Sequence, residues 1–516
     1  MKVLMSQSQT LEMNILQGER WWGGLVQDGI SMPYGSGVFE RDLGASLRSN
    51  QGNPLLLSSK GRYVWSEEPF AFSIANEKLI VKGTSLQHEE GYDDLRHVLK
   101  HVSRTYFPPS ETIPDPLFFT APQYNTWIEM MYEPTQDKVV SYAKSILEHG
   151  MPPGILMIDA GWQEYYGYWD FHPGRFPDPK AMVDTLHHMG FKVMLWVCNF
   201  ITADTVIFRK LRNKGYLLRD ANGLPAIREW WDGYSAVLDS THEDAVTWFQ
   251  EQLDHLIAQY DIDGFKLDAG DPETFRSTDL CSMPSHPNGH CEAWAKVGLR
   301  YPLNEYRACW KMAGQRIAQR LCDKNHSWRA DDGLGSLIPN GLALGLLGYA
   351  YICPDMIGGG NYASFLDPSF ELDQELIVRS AQCAALFPMM QFSIAPWRVL
   401  DQQHLEYCVE SAKLHQRFGV EIVKLAIHAS MTGEPILRHM CYVYAEHGYE
   451  QISDQFLLGD DILVAPVLIK GAVQRNVIFP PGSWSGDDGS RVEGPCELVI
   501  EAPLSRLPWY RKENAG

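Results

Sequence analysis

The ten cysteines of this 516-residue chain include no Cys-x-x-Cys pair, so the spacing of a zinc knuckle or a dithiol redox centre is missing. Cys198, Cys322, Cys353 and Cys383 sit in apolar segments and read as reduced core residues. Cys281, His286, His290 and Cys291 lie close together in the chain, but their spacing fits no standard zinc pattern. That segment reads as a polar loop, with a metal site or a loop disulfide as alternatives. No stretch approaches the roughly 20 apolar residues of a membrane span. Met1 to Trp21 lacks a basic region followed by an apolar run, so a cytoplasmic protein without a cleaved signal is expected. Basic charge is also scarce, with 44 Lys and Arg against 64 Asp and Glu and a formal net charge of −20. That balance argues against nucleic acid, whose phosphates need cations, and against an anionic membrane surface. It fits a neutral substrate. There is no internal repeat and no low-complexity segment.

What is present is apolar and aromatic. Hydrophobic residues make up 45%, and aromatic residues 12%, including 16 Trp. The length implies several domains with ample core. Three regions are expected: an N-terminal β-rich domain (1–115), an α/β barrel (116–420) and a C-terminal β domain (421–516). In the first, Tyr63-Val64-Trp65 and Phe70 to Ile74 read as strands, and Asn76-Glu77-Lys78 as a turn before Leu79-Ile80-Val81. Prolines 108, 109, 114 and 116 mark its end. In the second, buried strand candidates alternate with amphipathic helices. The strands are Ile155 to Ile158, Val193 to Val197 and Gly264 to Leu267. One helical face carries Val139, Tyr142, Ala143, Ile146 and Leu147. Another carries Ala245, Trp248, Phe249, Leu253, Leu256 and Ile257 after a capping box of Ser240 with Glu243. This alternation over about 300 residues predicts a (β/α)8 TIM barrel. The last region is expected to be a β-sandwich.

In such a barrel, residues at the C-terminal strand ends face the active site. Ile158 is followed by Asp159, and Leu267 by Asp268. The segment after Arg320-Leu321-Cys322 leads to Asp331 and Asp332. Two carboxylates in different environments are what glycosidic cleavage needs, one ionised and one holding a proton. Lys266 precedes Asp268 by two residues, which on a strand puts both on one face. A cation there would keep Asp268 ionised. Asp331 sits among Trp328, Ala330 and Leu334, a setting that predicts partial burial and a raised pKa.

Asp263-Gly264-Phe265-Lys266-Leu267-Asp268 resembles the nucleophile strand of glycoside hydrolase family 31. Trp230 to Asp239 and Asp454 to Val467 resemble its segments before that strand and after the barrel. Trp328 to Leu334, Pro354 to Gly359 and Met390 to Arg398 narrow the resemblance to the branch containing the myogenesis-regulating glycosidase and related bacterial enzymes. The resemblance implies a retaining α-glycoside hydrolase, an α-galactosidase by that branch, with Asp268 as nucleophile and Asp331 as acid/base. Their carboxyl groups should then lie about 5–5.5 Å apart. It implies no cofactor, no metal and an oligosaccharide or α-glycoside as partner. A homo-oligomeric state is left open. By the same pattern Asp159 binds sugar hydroxyls, Asp355 shares the pocket, and Arg320 contacts the sugar or the nucleophile. Trp127, Trp196, Trp231, Trp328 and Trp397 are candidate walls. The chain departs from the family in its short N-terminal region and in Ala330, where a Gly is usual. Trp21-Trp22-Gly23-Gly24 reads either as the loop that in this family reaches the pocket, bringing Trp22 to the sugar, or as a turn beside a core aromatic.

The nearest alternatives keep the fold and change the sugar: an α-glucosidase, a sulfoquinovosidase or a transglycosidase. Another galactosidase group shares the Ile158-Asp159-Ala160-Gly161-Trp162 run but not the downstream segment. Asp261, Asp263, Asp268, Asp271 and Glu273 are dense enough to imitate a divalent-ion site, which leaves a metal-dependent barrel enzyme. A non-catalytic carbohydrate-binding protein is the third class.

Overall fold

The computed structural model describes residues 8–35, 37–45, 51–283, 285–361, 365 and 372–513. The outer ends of the first and last expected regions, 1–7 and 514–516, lie outside it. Eight short strands form the central sheet: β1 (Gln123–Asn125), β2 (Ile155–Ile158), β3 (Lys192–Cys198), β4 (Gly264–Asp268), β5 (Leu303–Tyr306), β6 (Ala318–Arg320), β7 (Ile352–Cys353) and β8 (Gln391–Phe392). Each pairs in parallel with its neighbour. The sheet closes between β7 and β8, where Ile357 N donates to Gln391 O at 2.8 Å and Ser393 N to Ile357 O at 3.0 Å. This is the expected TIM barrel.

Helices follow from the apolar spacing. Glu243–Tyr260 buries Ala245, Trp248, Phe249, Leu253 and Leu256. Each large side chain so buried contributes about 1.5–3 kcal/mol. Its start differs from the expected capping box: the N-cap is His242, with no side-chain cap bond, and Ser240 lies two residues upstream. Ser240 and Glu243 are three apart as a box requires, but the chain turns helical one residue after His242. Helix Gln136–Glu148 buries Val139, Tyr142, Ala143 and Ile146, while Leu147 falls at the exposed edge of that stripe. Between β4 and β5 the backbones approach so closely that a Cβ on Gly264 would lie 2.2 Å from Leu303 O. Only glycine fits there.

The N-terminal region forms two antiparallel sheets. In one, Ala71–Ala75 and Lys78–Gly83 make a hairpin whose two turn residues, Asn76 (φ 51) and Glu77 (φ 58), are both left-handed, the turn that matches strand twist. In the other, Gln51–Ser58 pairs with Tyr63–Trp65 and Trp21–Leu25. The Trp21-Trp22-Gly23-Gly24 segment is therefore neither loop nor turn but a fully buried strand. Gly23 (φ +134) sits at a bulge where a Cβ would meet Leu55 O at 2.1 Å. Gln51–Ser58 also reaches the barrel: Gln51 and Gly52 pair in parallel with Cys309 and Trp310, just after β5. Asn53 Nδ2 donates to Leu347 O at 2.7 Å, and Gln51 Nε2 donates to Arg320 O.

Helix Gln402–Thr432 runs through position 420, so the chain leaves the barrel not there but at Gly433 (φ 76), the left-handed residue that ends this helix. Six strands then join in one antiparallel sheet, in the order Leu437–Arg438, Phe456–Leu458, Ile462–Val464, Trp509–Lys512, Gln474–Gly486 and Arg491–Glu501. Hydrogen bonding among the described residues links all six strands of this C-terminal antiparallel β domain. Arg379 docks that domain onto the barrel by donating to Ala472 O (3.0 Å) and Ala502 O (2.8 Å). Among the described residues, no helix is long and apolar enough to cross a membrane.

Candidate active site

The C-terminal strand ends open into a cleft of about 400 Å³. Asp268, the last residue of β4, lies at its wall and is 9% exposed. Its Oδ1 accepts from Arg307 Nε at 3.0 Å and Ala269 N at 2.9 Å. Its Oδ2 accepts from Trp196 Nε1 at 2.8 Å. Burial alone would raise this carboxyl. Arg307, then Lys266 and Arg320, and the Trp196 bond outweigh burial and hold it far below the usual carboxylate range. Asp268 is therefore ionised at neutral pH, with Arg307 contributing more than the Lys266 expected to do this.

Lys266 lies on the same face of β4 and opposite Trp196 of β3. Its Nζ donates to Asp159 Oδ2 at 2.7 Å, and both side chains are buried. Burial pulls this ammonium down, but Asp159 and then Asp268 outweigh it and hold its pKa above the ordinary lysine value. On the other side, Arg320 at the end of β6 ion-pairs with Asp355 (2.7 Å), Asp323 (2.9 Å) and Glu305 (3.3 Å). Asp355 is buried; its removal from water raises its pKa to about 6, with Arg320 opposing and Asp323 adding to the rise. Under the cleft the barrel floor is polar: Gln391 Nε2 donates to Glu305 Oε2 at 2.6 Å and to Gln123 Oε1 at 3.2 Å.

Of the residues expected at the site, the structure brings Asp159, Lys266, Asp268, Arg320, Trp127, Trp196 and Trp231 to one cleft. Asp355 lies behind Arg320. The other tryptophans are elsewhere. Trp22 is core, edge-on to His439 at 5.6 Å. Trp328 donates Nε1 to Asp373 Oδ2 at 3.0 Å. Trp397 stacks on His149 at 5.4 Å, outside the barrel. None of these three lines the cleft.

Asp331 also departs from its expected setting. It is exposed, not partly buried, and Arg329 grips it through Nε (2.9 Å) and Nη2 (2.5 Å). Those bonds hold its pKa below the usual range instead of raising it. The reason is local: Trp328 turns towards Asp373 and Leu334 into the core, so neither shields the carboxyl. Asp331 lies outside the set of cleft-lining residues, although its loop reaches the rim. Asn325, three residues before Trp328, lines the cleft, and its backbone N–H donates to Asp332 O at 2.8 Å.

The sequence reading missed Arg307 and Asp323. Arg307 follows β5 and bridges two acids, Asp268 and Asp271 (2.7 Å). It makes the direct contact with Asp268, one of the two contacts, sugar or Asp268, expected of Arg320. Asp323 opens onto the cleft beside Arg320, with Gly360 packed against it. Its pKa is lowered: burial raises it, and Arg320 and Arg307 overcome that. The only available signal for either was position, a charged residue just beyond a short strand.

The Cys281 to Cys291 segment is not a polar loop throughout. His286 caps helix Pro287–Val297, which buries His290 and Cys291. The dense acids around β4 also separate. Asp263 accepts from His187 and Val193 N at the opposite strand end, and Asp261 caps a helix. Asp268 and Asp271 share Arg307.

The fold and the site together define a parallel barrel with a buried acid, paired cations and indoles at its C-terminal mouth. The family model described as the glycosyl hydrolases family 31 TIM-barrel domain matches residues 122–399, and the C-terminal domain of the same family matches 433–515. The chain belongs to glycosyl hydrolase family 31. The myogenesis-regulating glycosidase of Mus musculus is 32% identical over 421 residues, covering 80% of this chain and 58% of that protein. The sulfoquinovosidase of Escherichia coli K12 is 24% identical over 387 residues, covering 70% and 55%. The chain thus spans little more than half the length of these relatives. A family 31 dextranase from Flavobacterium johnsoniae, solved with glucose, superposes with a TM-score of 0.85 at 20% identity, covering 98% of this chain and 66% of that one.

Proposed function

We propose that the chain is a retaining α-glycoside hydrolase that removes terminal α-linked neutral sugars by double displacement, an α-galactosidase by its family branch. The observation that carries this reading is Asp268: a strand-end carboxylate held ionised in the cleft by Arg307 and Lys266. Asp268 attacks the anomeric carbon, and Asp331 gives a proton to the leaving oxygen. A β-linked glycosyl ester forms. Asp331 then takes a proton from water, which attacks C1, and the second inversion restores the α configuration. In the present arrangement Asp331 is ionised, paired with Arg329 and outside the cleft lining, so its role requires that it leave Arg329, take up a proton and turn into the cleft to meet the glycosidic oxygen.

The sugar is read from charge. Lys266, Arg307 and Arg320 line the cleft, and each is ion-paired. A sulfonated sugar needs a cation not already committed, so this favours a neutral hexose over sulfoquinovose. An α-glucosidase would share the same site. A metal-dependent reaction fits less well, because Asp268 and Asp271 are bridged by the Arg307 guanidinium. A panel of aryl α-glycosides, followed by NMR, tests the proposal. Release of the α-anomer first, fastest from the galactoside, supports it. First release of the β-anomer, or no turnover of any glycoside, refutes it.

A further inference from the structure

The two oxygens of Asp268 are not equivalent. A carboxylate oxygen has two lone pairs. Oδ1 has committed both, to Arg307 Nε and Ala269 N. Among the described residues Oδ2 accepts only from Trp196 Nε1, which leaves it one lone pair. Arg307 is itself fixed. Its Nη2 donates to Asp271, its guanidinium lies 5.4 Å from the Trp231 ring centroid, and its carbonyl oxygen accepts from Gln319 Nε2 at 2.9 Å. Two residues on, Cys309 pairs with Gln51 of the N-terminal sheet.

The geometry points to a division of labour, resting on the double-displacement reading above: Oδ2 is the attacking atom, and Arg307 is a catalytic residue for the second half-reaction. In the first half, the Oδ2 lone pair forms the bond to C1. The C1–aglycone bond breaks, and its electron pair goes to the leaving oxygen, which takes the proton of Asp331. Asp268 is then a neutral ester whose carbonyl oxygen is Oδ1, still facing Arg307. In the second half, water attacks C1 and yields a proton to Asp331. The C1–Oδ2 pair returns to Asp268, and negative charge reappears against the guanidinium. A cation placed there stabilises the carboxylate more than the ester. It therefore favours release of the sugar and does not assist the attack.

Arg307 is not the only charge around Asp268. Lys266 on β4 and Arg320 on β6 favour its ionised form, while Glu305 on β5, Asp323 after β6 and the Cys198 thiol on β3 oppose it or are raised by it. Asp159 offsets Lys266, and Asp271 offsets Arg307. Neutralising Arg307 leaves two cations, so Asp268 stays titratable and its ionisation shifts to higher pH.

The test compares Arg307→Gln and Arg307→Lys with wild type, on whichever aryl α-glycoside with an activated leaving group the wild type turns over. Rapid quench and intact mass follow the glycosyl-enzyme. For Arg307→Gln, kcat should fall on the order of tenfold to a hundredfold, the range of one charge-assisted hydrogen bond. A burst approaching one phenol per site should appear, with the covalent adduct accumulating. The acid limb of kcat/KM should move to higher pH, and Arg307→Lys should recover part of each effect. Equal losses in both half-reactions, with no burst and an unmoved acid limb, overturn the inference. Should Arg307→Gln fail to fold, Asp271→Asn loosens the same guanidinium and is read by the same burst, whose absence also overturns it. If the wild type turns over no aryl α-glycoside, the double-displacement reading itself has failed. If it turns over and a trapping glycosyl fluoride labels Asp268, only the role of Arg307 is at issue.

Discussion

Lys266→Met separates a buried, functional ion pair from a hydrated one. Lys266 Nζ and Asp159 Oδ2 are 2.7 Å apart, with side-chain exposures of 5% and 4%. Methionine fills most of the lysine volume, so packing changes little while Asp159 loses its partner. Breaking one side of a buried pair costs about 3–5 kcal/mol. For a unit of barrel size this corresponds to a fall in Tm of roughly 6–15 °C. The double change Lys266→Met with Asp159→Asn removes the orphaned charge and should recover most of the loss. Differential scanning calorimetry at pH 7 measures both; because a multidomain chain does not unfold in one step, the transition to compare is the one that carries the barrel. The pH dependence adds a check. The Lys266 pKa is raised, so its stabilisation is complete below the ordinary lysine value and is lost only as pH climbs through the higher folded value. The difference between variant and wild type should be constant from pH 6 to pH 9. A loss under about 1 kcal/mol, the scale of an exposed pair, would refute the reasoning.

Three further outcomes follow from the site. Asp268→Asn should lower kcat by roughly a thousandfold or more while calorimetry still detects substrate binding; activity near wild type would reassign the nucleophile. Asp331→Ala should slow a natural glycoside by roughly 10²–10⁴-fold, the range of general acid catalysis, and an activated aryl glycoside much less; equal losses would remove the acid role. Asp355, raised from 3.8 to about 6, holds a proton in the folded state that the unfolded chain releases. Its contribution to stability therefore weakens as pH rises from about 4 to 6. Asp355→Asn should flatten that slope in thermal melts, and an unchanged slope would place the titration elsewhere.

The strands that sequence reading finds are those with an apolar run before a polar end. β2 and β4 are of this kind, so Asp159, Lys266 and Asp268 could be placed in advance. β5 reads Leu-Asn-Glu-Tyr, and its Asn304 and Glu305 are buried by partners from β6 and β8 that no local pattern announces. Arg307 was hidden with it. β7 and β8 have two residues each and are closed by Ile357, a contact that exists only once the barrel forms. Asp331 failed differently. Its neighbours in sequence are apolar, but they bury themselves in other directions, and the cation that sets its charge is two residues away. Adjacency in the chain predicted a dry carboxyl, and side-chain direction made a wet one.

The strand Gln51–Ser58 has a practical consequence. It ties the segment after β5 and the end of β6 to one external strand, through Cys309 and Trp310 on one side and, by the Gln51 side chain, the carbonyl of Arg320 on the other. Two of the three cationic residues of the cleft thus borrow their footing from the first hundred residues. Excising the barrel alone, however cleanly the cut is made near residue 116, would remove a clamp that spans adjacent staves. The trimmed barrel would be expected to keep its hydrophobic heart and lose the fixed spacing between Arg307 and Arg320.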